Sequence, residues 1–158
     1  MICYLLATEQ EAEIFRKLSK GKVPRGEIEV IDDTDVKKHA DDVVVHIGYA
    51  DGYDVAAGTL VEPVYVIDAQ TQEVVRTDTI FPTEHRICFS SERAVKAPMV
   101  DFPAVYDAGL FKIAESQHKR IHAIKIIKGN IGKKAQKEFN CEEAWMGAVN
   151  LISRYVKE

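Results

Sequence analysis

The stretch SSERAVKAP (90–98), continued by FPAVYDAGLFKIAE (102–115) and IHAIKIIKGN (121–130), decides the fold. An apolar strand runs into the serine turn at Ser90-Ser91. AVYD then leads through an acidic residue into a helix rich in small residues, and IHAIKIIK is a second apolar strand. Strands interleaved with helices in this order predict an α/β domain with a mostly parallel sheet.

The rest of the chain extends that pattern. ICYLLA (2–7) is a continuous apolar run, as expected of a strand buried on both faces. Thr8 followed three residues later by Glu11 forms a capping box and predicts a helix from Glu9 to Leu18. Gly21, Pro24 and Gly26 end it, and EIEVI (27–31) alternates as a strand does. The polar segment 32–42 reads as a short helix or loop. VVVHIG (43–48) is a second buried strand, expected to end in a glycine turn, Gly48-Tyr49-Ala50-Asp51-Gly52. VEPVYVID (61–68) and HRICFS (85–90) add strands, the first directed to an edge or a bend by Pro63. A final helix over 142–157 has Asn140 as its cap, and Trp145, Ala148, Val149, Ile152 and Val156 form one apolar stripe. The whole predicts a single domain, 1–158: a three-layer α/β/α sandwich on a mixed, mostly parallel sheet.

Composition narrows the function classes. Apolar residues make up 46% and charged residues 29% of the 158, with a net charge of −4 and no basic stripe. Nucleic-acid binding is therefore disfavoured, because phosphate attraction needs clustered cations, and the Lys133-Lys134 pair is too short to supply them. No apolar stretch has membrane-spanning length, and the opening segment lacks a signal peptide's charged start and cleavage site. A cytoplasmic protein is expected. Three cysteines without CxxC spacing argue against a disulfide framework or zinc cluster, and Cys3 and Cys88 read as buried strand residues. His118 and His122 are separated by a helix-to-strand break, so no metal site is expected.

Four blocks together resemble the nucleoside phosphorylase superfamily, including the methylthioadenosine/S-adenosylhomocysteine nucleosidases. MICYLLATEQEAEIFRKL (1–18) is similar to the family's opening strand and acidic helix start. HIGYADGYDVAAGTLVEPVYVID (46–68) is similar to its glycine-rich turn and next strand, and CFSSERAV (88–95) to its Ser-(Gly/Ser)-Asp turn. AVYDAGLFKIAE with IHAIKIIKGN resembles the strand, Asp/Glu-Met-Glu, helix, strand and Ser-Asp ending. The chain looks shortened in its first half, where only residues 21–42 stand between the first helix and HIGYADG.

The resemblance implies cleavage of a purine N-glycosidic bond, with a small-molecule nucleoside as partner, no cofactor, and inorganic phosphate as co-substrate if the reaction is phosphorolysis. Glu11 falls on the water-orienting glutamate, although the capping box claims the same side chain. Met-Glu becomes Ala108-Gly109, leaving Asp107 as a shifted substitute or simply a helix-starting residue. Ser-Asp becomes Lys128-Gly129, with Asn130 as a hydrogen-bonding group that cannot act as an acid. Glu11 and Asp107 are thus the catalytic candidates, and Gly48, Gly52, Ser91, Glu92 and Asn130 the substrate-binding ones. Two readings stay open: a nucleosidase or phosphorylase with an altered site, or a noncatalytic domain that binds a nucleoside-like ligand or docks a partner. Self-association is expected, because a trimmed domain leaves apolar surface to cover.

Overall fold

The computed structural model describes residues 2–31, 43–115, 120–131 and 139–157. The polar segment 32–42, His118 and Lys133-Lys134 lie outside them. The described chain runs β1 (Ile2–Leu6), α1 (Glu9–Ser19), β2 (Gly26–Val30), β3 (Val43–Tyr53), β4 (Leu60–Asp68) and β5 (Val74–Arg76). It continues through β6 (Glu84–Ser90), β7 (Ala104–Asp107), α2 (Leu110–Glu115), β8 (Arg120–Asn130) and α3 (Cys141–Tyr155).

All eight strands join one mixed sheet. Pairs β1–β2, β1–β3, β3–β8, β4–β6 and β6–β7 are parallel, whereas β3–β7, β4–β5 and β4–β8 are antiparallel. Strand β3 has two roles. Its first part pairs with β1 and β8, and its end pairs with β7, so β3, β7, β6, β4 and β8 close into a ring. β1 and β2 extend the sheet on one side and β5 on another.

Period-two alternation sorts the strand residues onto two faces. Ile2, Tyr4, Leu6, Val43, Val45, Ile47, Ile124 and Ile126 pack with Ala12 and Phe15 of α1 and with Trp145, Val149 and Ile152 of α3. Cys3, Leu5, Val44, Ala123 and Ile127 pack on the other side with Leu110, Phe111 and Ile113 of α2. Helices on both faces make the three-layer sandwich that the apolar runs predict. Both long helices carry the expected caps: Thr8 Oγ1 accepts the Glu11 N–H at 3.2 Å, and Asn140 Oδ1 accepts that of Glu143 at 3.1 Å.

Three expectations are corrected. The glycines 48–52 do not form a turn; β3 runs through them to Tyr53, because β8 and then β7 supply hydrogen-bonding partners along this length. Asp107 does not start a helix; it ends β7, and α2 begins at Leu110. Of the two places expected for Pro63, an edge or a bend, the edge is not found. β4 pairs with β5, β6 and β8, and the proline sits where its register with β6 shifts. The link from β5 to β6 is tied down by fully buried Glu62, whose carboxylate accepts the N–H groups of Ile80 and Phe81 at 2.8 and 3.1 Å.

The β1–β2 pairing depends on a missing side chain. A Cβ at Gly26 would collide with the Ile2 carbonyl oxygen and lie 3.0 Å from the Tyr4 ring, whereas one at Gly109 would meet no heavy atom within 4 Å. Gly26→Ala is expected to destabilise the protein by about 1–3 kcal/mol in urea denaturation, through overpacking against backbone that cannot swing aside. Gly109→Ala should stay within about 0.5 kcal/mol of the parent.

Candidate functional site

A cavity of about 250 Å³ opens beside the end of β7 and the last residues of β3 and β8. Its wall includes Tyr49 and Asp51 of β3, Ser91, Glu92 and Arg93 after β6, Tyr106 and Asp107 of β7, and Lys128 of β8. This is small for a ligand pocket, most of which span roughly 300–1,000 Å³.

Beneath the wall lies a buried polar cluster that draws on four strands of the ring. The Lys125 ammonium of β8 stands 2.6 Å from Asp107 Oδ2 and 2.7 Å from His46 Nε2. The Lys125 and Asp107 side chains are each 4% exposed. On its other side, His46 Nδ1 lies 3.0 Å from the Leu5 carbonyl oxygen. That oxygen can only accept, so the proton sits on Nδ1 and Nε2 offers its lone pair to Lys125. A neutral imidazole fits this arrangement. Burial, followed by the Lys125 charge, pushes the His46 pKa down to about 3. Cys88 of β6 completes the cluster, with its thiol 3.6 Å from Asp107 Oδ1. Burial first, and Asp107 second, push that thiol well above its ordinary pKa, so it stays protonated and donates.

The remaining candidates sort by location. Ser91, Glu92 and Asp107 stand on the cavity wall; Glu11, Gly48, Gly52 and Asn130 do not. Gly48 makes room for the buried cluster: a Cβ there would lie 3.2 Å from His46 Nε2 and 3.4 Å from Lys125 Nζ. Gly52 is pressed against Val55 and Ile127 in the same way. Asn130 Oδ1 is buried without a hydrogen-bond partner among the described residues. Glu11 is buried, with Oε2 accepting the Thr8 hydroxyl at 2.8 Å and Oε1 facing the Tyr49 N–H at 3.4 Å. It fixes the backbone of a wall residue instead of reaching the cavity. Glu92 meets Lys112 of α2 at 3.2 Å in an exposed ion pair. Among the described residues, no cluster of three His, Cys, Asp or Glu side chains is placed to hold a metal ion.

Sequence reasoning missed His46, Lys125 and Lys128. For two of them the signal was visible: His46 inside VVVHIG and Lys125 inside IHAIKIIK interrupt otherwise apolar buried strands, and a buried charge needs a partner, whereas Lys128 is exposed and gave no such signal. Tyr49 is held from three sides. Its hydroxyl accepts from Trp145 Nε1 at 2.8 Å and donates to Cys141 Sγ at 3.5 Å, while Lys128 Nζ sits 5.9 Å from its ring centroid.

Removing Lys125 would strand a buried carboxylate. Lys125→Met is expected to cost about 3–5 kcal/mol in urea denaturation, and adding Asp107→Leu should recover most of it, because the uncompensated charge goes too. His46 adds a pH dependence. The unfolded chain protonates this group near 6.5 and the folded chain only near 3, so between these values the unfolded state binds more protons. Its contribution is complete above about pH 6.5 and shrinks by roughly 1 kcal/mol per pH unit as pH falls toward 3, measurable as a falling urea midpoint that His46→Asn flattens.

No family model matches the sequence, and no curated protein does. Solved structures do match. The nucleosidase (MTAN) CT263 of Chlamydia trachomatis superposes with a TM-score of 0.67 at 13% identity, covering 97% of this chain and 91% of its own. The 5'-methylthioadenosine nucleosidase of Arabidopsis thaliana gives 0.64 at 10% identity over 96% and 89%. Uridine phosphorylase from Schistosoma mansoni, in complex with thymine, gives 0.64 at 9% identity over 96% and 85%. Each of the three neighbours is thus covered over 85–91% of its own length. The chain has the fold of the nucleoside phosphorylases and methylthioadenosine nucleosidases.

Proposed function

We propose that this protein binds a purine nucleoside or thionucleoside in the cavity between β3, β7 and β8, and cleaves its N-glycosidic bond slowly or not at all. The structural neighbours supply the ligand class: CT263 has been seen bound to adenine, and a point variant of it bound to MTA. The state of Asp107 carries the catalytic half of the reading. Its carboxylate lies 2.6 Å from a buried ammonium and accepts a thiol, so it is engaged before any ligand arrives.

Breaking an N-glycosidic bond needs an acid to protonate the departing base and a carboxylate to hold the sugar as it gains positive charge. Gly109 and Gly129 occupy the positions that the resemblance assigns to these groups, and Glu11 is occupied with Thr8 and Tyr49. Each missing group ordinarily contributes about 10²–10⁴-fold in rate. Binding survives more readily, because the partly exposed ring of Tyr49 remains on the wall to meet a base. The reading includes self-association in the cytoplasm, with Met99 and Phe102, both exposed on the segment between β6 and β7, as apolar surface to be covered.

Base release from methylthioadenosine, adenosylhomocysteine, adenosine and inosine, followed by chromatography with and without phosphate, should fall orders of magnitude below that of a complete nucleosidase. Calorimetry should detect binding of at least one of the four. Robust turnover that collapses in Glu11→Gln would overturn this reading and assign a rebuilt catalytic site. Absence of both binding and turnover would leave only a structural role. Light scattering should give a mass above the 17.7 kDa monomer at high micromolar concentration, and a monomer there would refute self-association.

A further inference from the structure

Strands β3 and β8 keep a regular parallel register from Val43 opposite Arg120 to Ala50 opposite Ile127. The next pair is Asp51 with Gly129, so β8 carries one residue more than β3 at this point. The surplus residue is Lys128. A bulge leaves its extra residue out of the ladder and re-aims its side chain; bulges are rare between parallel strands and frequent beside functional sites. Here the bulge stands at the cavity, and Lys128 is on its wall. The ammonium sits over the Tyr49 ring, itself fixed by Trp145. The exposed lysine thus leans its ammonium on the Tyr49 ring at the cavity.

The charges of the wall do not balance. It carries the acids Asp51, Glu92 and Asp107 and the bases Arg93 and Lys128. Asp107 is matched from below by Lys125, and Glu92 from outside by Lys112. That leaves Asp51 against two cations, neither of which has an ion-pair partner among the described residues. An uncharged nucleoside gives those cations nothing to meet.

Building on the nucleoside reading, we infer that the cavity takes a nucleoside bearing an anionic substituent, the simplest being a nucleoside 5'-monophosphate. Its phosphate meets Lys128 as a point charge and Arg93 through the guanidinium fork, while its base and sugar lie along the wall beside Tyr49.

Calorimetry at low salt with adenosine, adenosine 5'-monophosphate and inorganic phosphate tests this. The monophosphate should bind at least about ten-fold more tightly than adenosine, with the advantage shrinking as salt screens the pair. Lys128→Gln and Arg93→Gln should each cut the ratio of the two affinities several-fold, the double variant should bring it near one, and Lys128→Arg should restore it. A monophosphate that binds no better than adenosine would overturn the anionic assignment and leave the nucleoside reading intact. An advantage that persists in the double variant would overturn the roles of Lys128 and Arg93. Inorganic phosphate binding as tightly as the monophosphate, with no adenosine binding, would overturn the nucleoside reading and keep only an anion site.

Discussion

One buried ammonium organises the end of the sheet where the cavity lies. Lys125 reaches from β8 to His46 on β3 and Asp107 on β7, and through Asp107 to Cys88 on β6. A lone charge at 4% exposure would cost several kcal/mol, so the surrounding residues are constrained to answer it. The carboxylate must be close, the imidazole must be neutral and turned with its lone pair inward, and position 48 must lack a side chain. Each of these holds. The cluster also fixes the end of β7, and with it the floor of the cavity.

The sequence was most legible where local chemistry decides the outcome. Thr8 with Glu11 and Asn140 with Glu143 marked the starts of α1 and α3, and short apolar runs marked β1, β3 and β8. It was least legible where pairing between distant segments decides. The antiparallel contacts of β3 with β7 and of β4 with β8, which close the ring, have no local signature, and the three residues of β5 are too few to show a period. The glycines at 48 and 52 look like turn residues in isolation. In the fold they answer crowding, from His46 and Lys125 at one and Val55 at the other.

The site was legible to the same degree. Motif order placed Ser91, Glu92 and Asp107 at strand ends that meet at the cavity, because strand ends follow from the alternation of strands and helices. Motif order could not say what each group touches. Glu11 sits at the expected place on α1, yet its oxygens are turned to Thr8 and to the backbone of Tyr49. A resemblance at 9–13% identity carries the architecture, and the chemistry has to be read from contacts of this kind.

The aromatic pair beside the cavity also makes the protein its own optical probe. Trp145 is the single tryptophan of the chain, set edge-on to Tyr49 with ring centroids 5.7 Å apart and an interplanar angle of 88°. Its indole N–H is bound to the hydroxyl of the same ring that faces the cavity. Anything that shifts Tyr49 therefore alters the surroundings of the only indole in the molecule, and cavity occupancy is written into the intrinsic emission without any label. Cys141 adds a chemical handle at the same place, since it is exposed beside the Tyr49 hydroxyl while Cys3 and Cys88 are buried.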